Sequence, residues 1–453
     1  MSRSSVDAAD PHRSRLSQQQ LDAKLRAHAL FLAGRGGERA RLRLCDLSHL
    51  DLSGHNLRES DFAGARLYGA RLVGTNLESA NLYGADLRLA NMSDATLSYA
   101  DMRGACLRGA VLTGAVMIET DFRDGVIVTP SDDGGLTPIN FDITITELTC
   151  AKVNNANLTR AKLANSFIMQ TDLSDSILRE TKLVRTNLTN SDLTGCILEG
   201  ADLTDANLSG AVLHGADLSG AIVTRTNLTG ADLIGAIYDR ASLADANLTN
   251  AKTVKPVEAL RRPLGEVLDE HETWVEANGR QGQRADLSEI SLEGANLSGR
   301  NLAAAVLRSA RLSGARLEKT GLAMADLSLA DLRRANLAGA DLRGANLQRA
   351  SMSGANLSRV RLSPVNITGP NAFIWQANLQ RARLNGAVLT DADLSGAQLT
   401  GANLSGADLR GANLAGANLA GANLAGADLT DARTEGCIFT DTDLSQVTGL
   451  GHS

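Results

Sequence analysis

The sequence predicts an all-β solenoid made of two tandem four-sided β-helices, each preceded by a short capping α-helix. Three observations predict it. From Gly401 to Thr430 the chain reads GANLS GADLR GANLA GANLA GANLA GADLT, with Leu at every fifth position and Asn or Asp directly before it. A period of five matches neither an α-helix nor a flat strand, so the chain must turn by one fixed angle every five residues, as a stacked repeat does. A second period of 20 lies over the first: Asn187, Asn207, Asn227 and Asn247 open the segments NLTN, NLSG, NLTG and NLTN, so four pentapeptides make one turn. Finally, the two halves begin alike. His28-Ala-Leu-Phe31 precedes Gly37-Glu-Arg-Ala-Arg-Leu42 and an LSGHNL segment ending at Leu57; His271-Glu-Thr-Trp274 precedes Gly282-Gln-Arg-Ala-Asp-Leu287 and an LSGRNL segment ending at Leu302.

Composition sets the width of the core. Aromatic residues are 3% of the chain and Gly contributes 43, so Leu and Ala must fill a narrow core that grows in length only. Residues 1–16 are polar and are expected to form a disordered tail, without the apolar stretch of a signal peptide. Ser17-Gln-Gln-Gln20 has the form of a capping box. A helix should follow to about Ala33 within a capping segment 17–36, burying Leu21, Leu25 and Phe31 or Leu32, and ending at Gly34, Gly36 and Gly37.

The first β-helix is expected over 37–253. Its centres run by fives from Leu42 to Ile127, 18 positions, after which Val128 to Asp142 breaks the pattern with Pro130, Pro138 and Gly134-Gly135. This is read as a loop, about 128–142, that replaces part of one coil. The register is clean again from Leu148 to Leu248. Residues 254–284 hold a linker and the second capping helix, with Pro263 in its first turn and Leu264, Val267, Leu268, His271, Trp274 and Val275 on one face. The first coil of a solenoid exposes unpaired backbone and an open core, so each helix has a covering task, and His28, Phe31, His271 and Trp274 are read as packing in the caps. The second β-helix is expected over 285–446, with centres from Leu287 to Ile367, a kink about 368–373, and a restart from Ile374 to Leu444. The tail 447–453 is too short to cap it.

Three surfaces stand out. The Asn column 187, 207, 227 and 247 should form a ladder of amide hydrogen bonds. Ile177, Ile197 and Ile237 share one outward position, interrupted by Asp217, and predict an exposed apolar row. Phe439 and Leu444 lie in the last coil, whose open edge and core predict a contact surface. A homodimer would close either apolar surface with its own copy.

Other classes are excluded by what the pattern explains. Cys45, Cys106, Cys150, Cys196 and Cys437 are scattered without zinc spacing, and three of them fall on small inward positions. An odd, scattered set predicts a reducing compartment, hence a cytoplasmic protein, and no apolar run is long enough for a membrane span. The seven His residues are dispersed, no nucleophile has a matching base, and each Asp before a Leu belongs to the repeat. No enzyme activity, cofactor or metal is expected. Net charge is −6, unevenly placed: residues 171–250 carry 5 basic and 11 acidic side chains, 281–390 carry 14 and 7, and 391–453 carry 2 and 8. The Arg residues do not gather on one side and have no interleaved aromatics, so direct nucleic-acid binding is not expected.

The recurring A-[DN]-L-x-x pattern resembles the pentapeptide-repeat family over most of the chain. The resemblance implies a right-handed quadrilateral β-helix, with the Leu and the small residue two before it pointing inward. It also implies two functions. One is a non-catalytic scaffold for protein–protein interaction. The alternative comes from the quinolone-resistance-type members, which look like duplex DNA and bind DNA gyrase: a DNA mimic that regulates or protects a DNA-binding enzyme. The acid-rich stretch 171–250 reaches roughly −0.3 charge per Å over about four coils, against about −0.6 for duplex DNA. Those relatives also resemble a single rod dimerised through a C-terminal helix, which is not expected here. The scaffold reading is therefore preferred, with a protein partner that the sequence does not identify.

Overall fold

Each pentapeptide has five backbone N–H groups to satisfy, and Asp61 to Ala65 shows how all five are satisfied. Asp61 N–H donates to the Ala40 carbonyl of the preceding coil (3.0 Å), while Phe62 and Gly64 donate to the Asn81 and Tyr83 carbonyls of the next (2.7 and 2.8 Å). Ala65 N–H closes a four-residue turn on the Phe62 carbonyl (2.8 Å). The remaining N–H, that of Ala63, donates to the Asp61 side chain (Oδ1, 3.1 Å). The turn needs positive φ at its third residue, where Gly64 has +66°. The repeat letters follow: Asp or Asn before the centre accepts the N–H two residues on, and Gly two after it makes the turn. Asp and Asn also accept this turn geometry, as at Asn190 and Asp205 (φ 56° and 58°).

The computed structural model describes residues 13–125, 128–130, 136–138, 146–238, 243–367 and 373–450. The chain divides into two compact units, Met1–Asp232 with Ala236–Lys252, and Leu233–Gly235 with Thr253–Ser453. Each is a β-helix. The residue before each centre makes a one-residue parallel bridge to its counterpart in the next coil, as Asn187, Asn207, Asn227 and Asn247 do in turn. The centres and the small residues two before them form the core, with Leu208, Leu213, Ala211 and Ala216 wholly buried. Where Ser or Thr replaces the small Ala, its buried hydroxyl is satisfied by the preceding coil: Thr181 and Thr186 Oγ1 donate to the Leu158 and Leu163 carbonyls (2.9 and 2.7 Å). The Cys196 thiol does the same to Leu173 (2.9 Å). A lone buried hydroxyl would cost about 1–3 kcal/mol, so this bond is what makes the substitution tolerable.

Two interruptions differ from expectation. The bridge partner of Cys106 is Glu147, a separation of 41 residues in place of 20, so the chain inserts one coil plus one residue instead of replacing part of a coil. The last centre before the insertion is Phe122, and Ile127 lies outside the described residues. Within the expected loop, β3 (Val128–Pro130) pairs antiparallel with β4 (Leu136–Pro138). In the second unit Asn346 bridges Asn378, 32 residues on. Leu362 is the last centre before the insertion, and Ile367 and Ile374 are not centres: they belong to a hairpin of β5 (Val365–Ile367) and β6 (Phe373–Trp375). Both insertions begin and end at a corner, so the four faces stay in step across them. In the second unit the core runs on from Leu362 to Ala377 and Leu379, and the β5–β6 hairpin stays outside it.

The start of each β-helix is closed by different groups on different faces. In the first unit β1 (Ser14–Arg15) pairs in parallel with β2 (Cys45–Asp46), which corrects the expected disordered tail at its end; residues 1–12 lie outside the described residues. An extended segment is ordered there because it takes up the open strand edge. On the next face the Gln18 amide acts as a strand, donating to the Asp51 carbonyl (2.8 Å) and accepting its N–H (2.9 Å). Helix α1 (Gln18–Leu32) starts from the expected capping box at Ser17 and Gln20 and buries Leu21, Leu25 and His28. Phe31 is 40% exposed instead of buried, because it lies about 80° around the helix from Leu21. It stacks on His28, with ring centres 5.9 Å apart. His28 Nδ1 accepts the Ala40 N–H and its Nε2 donates to the Arg58 carbonyl (both 3.1 Å).

The second unit begins with the same logic and other residues. Lys255 N–H donates to Glu289 (2.7 Å) and its carbonyl accepts the Ser291 N–H (2.8 Å). Helix α2 (Leu264–Glu276) buries Val267, Leu268 and His271, which pack on the core with Leu287 and Leu292. His271 Nδ1 accepts the Ala285 N–H (3.0 Å), and Trp274 stacks on His271 at 5.7 Å. Glu272 accepts the Asn301 N–H (2.9 Å) and pairs with Arg300, which also meets Asp269 (2.6 Å).

The enclosed core makes one substitution decisive. Leu218 is 2% exposed in mid-coil, and Leu218→Arg would bury an unpaired charge at a cost of several kcal/mol. Loss of the melting transition of the first unit is expected, whereas Leu218→Met should cost under about 1.5 kcal/mol; an unchanged melt for the Arg variant would show that the side chain does not point inward. The caps respond to acid. Burial lowers the pKa of His28, with the Arg58 carbonyl opposing, Arg39 adding and Glu59 opposing; burial lowers that of His271, with Ala303 opposing, Arg284 adding and Glu272 opposing. Both rings are neutral when folded, so their contribution is whole above the ordinary pKa of 6.5 and declines as pH falls below it toward the folded-state value. Thermal melts of the wild type should lose more between pH 7 and 5 than those of His28→Asn/His271→Asn, in which an amide oxygen replaces Nδ1; equal slopes would remove the histidines from the account.

Candidate functional site

Three positions per pentapeptide face outward: the ladder residue before the centre and the two corner residues after it. Columns of side chains therefore run along each face at the strand spacing, roughly 4.8 Å. The Asn column is in register as expected, but its chemistry differs. Each oxygen first serves its own turn: Thr189, Ser209, Thr229 and Thr249 N–H donate to Asn187, Asn207, Asn227 and Asn247 Oδ1 at 3.1–3.2 Å. Among the described residues one amide-to-amide bond joins the column, from Asn227 Nδ2 to Asn207 Oδ1 (3.0 Å), while Asn187 Nδ2 meets Met169 Sδ (3.2 Å). The ladder is a by-product of turn formation more than a separate device.

Ile177, Ile197, Asp217 and Ile237 also stack in one column. The expected exposed row is corrected: Ile177 and Ile197 are half-buried, and Ile237 is buried at 2%. A ladder side chain is flanked by its neighbours in the adjacent coils, which cover much of an isoleucine. At the far end of the second unit Phe439 is half-buried, Leu444 is 39% exposed and Ile438 48% exposed. The repeat continues past the expected boundary at 446, since Thr448 bridges Asp428, and Val447 and Leu450 pack on the core. Residues 451–453 lie outside the described residues.

Charged side chains are largely used up locally. An Asp before the centre and an Arg two residues on form a forked pair in Asp86–Arg88, Asp101–Arg103, Asp341–Arg343 and Asp408–Arg410, with Nη2 to Oδ2 at 2.7–2.8 Å. Burial would raise the Asp341 carboxyl, but the hydrogen bonds from Arg343 and the charges of Arg343 and Arg361 hold it below the usual carboxylate range. Pairing also runs between coils in the acidic stretch: Arg179–Glu199 at 3.0 Å, Lys182–Asp202 at 3.7 Å, Arg225–Asp205 at 2.6 Å and Lys252–Asp232 at 3.0 Å. Burial pushes the Cys106 thiol up to about 11, with Arg108 N–H opposing, so it is a poor nucleophile near neutral pH. Among the described residues no group of His, Cys, Asp and Glu is placed to hold a metal ion, and no helix is long and apolar enough to cross a membrane.

The surface that sequence reading missed is the β5–β6 hairpin. Phe373, Ile374 and Trp375 are 48%, 65% and 45% exposed, three consecutive apolar side chains at the surface. The signal was present: Val365-Asn-Ile367 and Phe373-Ile-Trp375 are β-rich runs separated by five residues that contain Gly369 and Pro370. The five-residue register, extended through Ile367 and Ile374, concealed it.

Comparison with known proteins bears on this geometry. The family model for pentapeptide repeats matches residues 40–78, 75–114, 151–190, 186–225, 226–252, 285–320, 325–363, 374–406 and 407–446, well over half of the chain. No curated protein matches. Among solved structures, HetL, a pentapeptide repeat protein involved in heterocyst differentiation regulation from the cyanobacterium Nostoc sp. strain PCC 7120, is 22% identical with a TM-score of 0.23, over 78% of this chain and 89% of that one. QnrB1, a plasmid-mediated fluoroquinolone resistance protein, is 20% identical with a TM-score of 0.30, over 46% of this chain and 83% of that one. Rfr23 from the cyanobacterium Cyanothece 51142 is 32% identical with a TM-score of 0.15, over 32% and 86%. At such scores the superpositions add nothing to the repeat match itself. With a repeat every five residues, four to a coil, and matches along both units, the chain belongs to the pentapeptide-repeat family, whose fold is a right-handed β-helix solenoid.

Proposed function

We propose that this protein is a non-catalytic scaffold: a tandem duplication of one module, a capping helix followed by a β-helix, whose faces hold protein partners. The duplication is supported by equivalent roles at equivalent places. His28 and His271 accept the N–H of Ala40 and Ala285, two before the first centres Leu42 and Leu287. Arg39 and Arg284 Nε donate to the Glu59 and Ala304 carbonyls. The five free cysteines fit a reducing, cytoplasmic setting.

The column geometry carries the scaffold reading. Side chains at one position repeat at strand spacing on a backbone bonded to both neighbouring coils, so little freedom remains to be lost when a partner docks. Ile177 with Ile197, and the end around Phe439 and Leu444, are the faces we assign to partners. Mimicry of duplex DNA is favoured by the acid-rich stretch 171–250 but opposed by its ion pairs, since Glu199, Asp202, Asp205 and Asp232 each meet a basic side chain and the field of that stretch is correspondingly weak. Ile177→Lys/Ile197→Lys alters two half-exposed positions and should leave the melt intact. In pull-downs from native lysate it is expected to lose a partner that the wild type retains in stoichiometric amount. Identical retention by both proteins would remove this face, and stoichiometric inhibition of DNA gyrase supercoiling by the wild type would replace the scaffold reading with mimicry.

A further inference from the structure

We infer that β6 is a docking edge for a second copy of this chain: two Phe373–Trp375 strands pair antiparallel across a twofold axis at Ile374, joining two hairpins into one four-stranded sheet. Strand β6 pairs with β5 through Val365–Trp375, Asn366–Ile374 and Ile367–Phe373, and among the described residues its other edge meets no strand. Exposed edges are normally blunted by Pro, by charge or by a covering element. Pro364 stands directly before β5, but β6 is Phe-Ile-Trp followed by Gln376, with no charge and no Pro. A two-stranded hairpin is marginal in water unless something holds it. Here Gly344 does: a Cβ there would stand 3.1 Å from Trp375, 3.2 Å from Val365 and 3.5 Å from Met324, so the three side chains converge over one glycine of the β-helix. The edge is thus held in place before any partner arrives, which lowers the cost of pairing.

The charge pattern favours a second copy as the occupant. The corner residues at this level are Ala323, Met324, Arg343, Gly344, Ser363, Pro364, Ser395 and Gly396, and the one cation among them, Arg343, is paired with Asp341 (2.8 Å). An acidic or basic partner finds nothing to match, whereas a twofold copy brings no unpaired like charge across the axis. The strand is also self-complementary. Antiparallel pairing centred on Ile374 sets Phe373 of one copy opposite Trp375 of the other, an aromatic pair of the kind that Phe373 and Trp375 already make within the strand at 5.7 Å. The exposed apolar area of Phe373, Ile374, Trp375 and Met324 is on the order of 400 Å² per copy, the low end of specific interfaces, so dissociation in the micromolar range is expected.

The test is sedimentation velocity of the full chain from about 1 to 100 µM, a range that brackets such an interface. The wild type should pass from monomer to dimer, and Ile374→Lys, at a position 65% exposed, should weaken the dimer at least about tenfold with an unchanged melt, whereas Ile438→Lys at the far end should leave it intact. In a Cys150→Ser background, Ile374→Cys should give a covalent dimer on oxidation with copper–phenanthroline. A monomer throughout the range would overturn the proposal. So would a dimer lost with Ile438→Lys and kept with Ile374→Lys, or a β6 edge that binds an extended peptide while the chain itself stays monomeric.

Discussion

The structure depends on the satisfaction of backbone N–H groups in a chain that changes direction every five residues. A strand long enough to form an ordinary sheet would satisfy them by continuous pairing; here each straight segment contributes one bridged residue, and the rest must be supplied at the corner. Asp61 illustrates the solution, with two N–H groups bonded to the next coil, one to the preceding coil, one to the turn and one to the Asp61 side chain. The aspartate or asparagine is therefore a structural part of the backbone network. Its abundance says nothing about acid–base chemistry, and its charge is often cancelled by an arginine two residues on.

The same constraint explains where the fold tolerates change. Each coil bonds only to its neighbours, so an insertion at a corner disturbs nothing beyond the corner, and the faces remain in step across separations of 41 and 32 residues. Inward positions are less forgiving. Most hold Ala, or a Ser, Thr or Cys whose donor reaches the carbonyl of the preceding coil, with an occasional larger apolar residue such as Val360. The ends are the other sensitive place, since the first coil has no predecessor. A strand, a glutamine amide, a histidine and an arginine close it in the first unit, and a lysine backbone, a glutamate, a histidine and an arginine in the second. The recurring histidines must stay neutral to accept an N–H, which ties the caps to pH.

The surface of such a molecule consists of its side-chain columns and of what the insertions present. The acid-rich columns are partly neutralised by pairing between coils, and the half-buried isoleucines offer less area than their spacing suggests. The β5–β6 hairpin differs from both, since it places apolar side chains, and an edge that meets no strand among the described residues, outside the regular faces, held over Gly344 by Trp375 and Val365.

The letters alone were enough for the repeat, the coil of 20 residues, the inward set, the Ser17–Gln20 capping box and the likeness between the starts of the two modules. These are local or strictly periodic, and five-residue spacing repeated dozens of times leaves few alternatives. The rest was settled by contacts between coils. Ile367 and Ile374 satisfy the spacing, yet both lie in a hairpin, because a corner can release the chain without any change in the letters. Phe31 stacks outside the cap while His28 lies within it, since only the helix phase and the open Ala40 N–H distinguish them. The Asn column was visible, but whether its oxygens bond along the column or within their own turns depends on an N–H two residues away. Exposure of the isoleucine column likewise depended on packing against residues of other coils, which no single stretch of sequence contains.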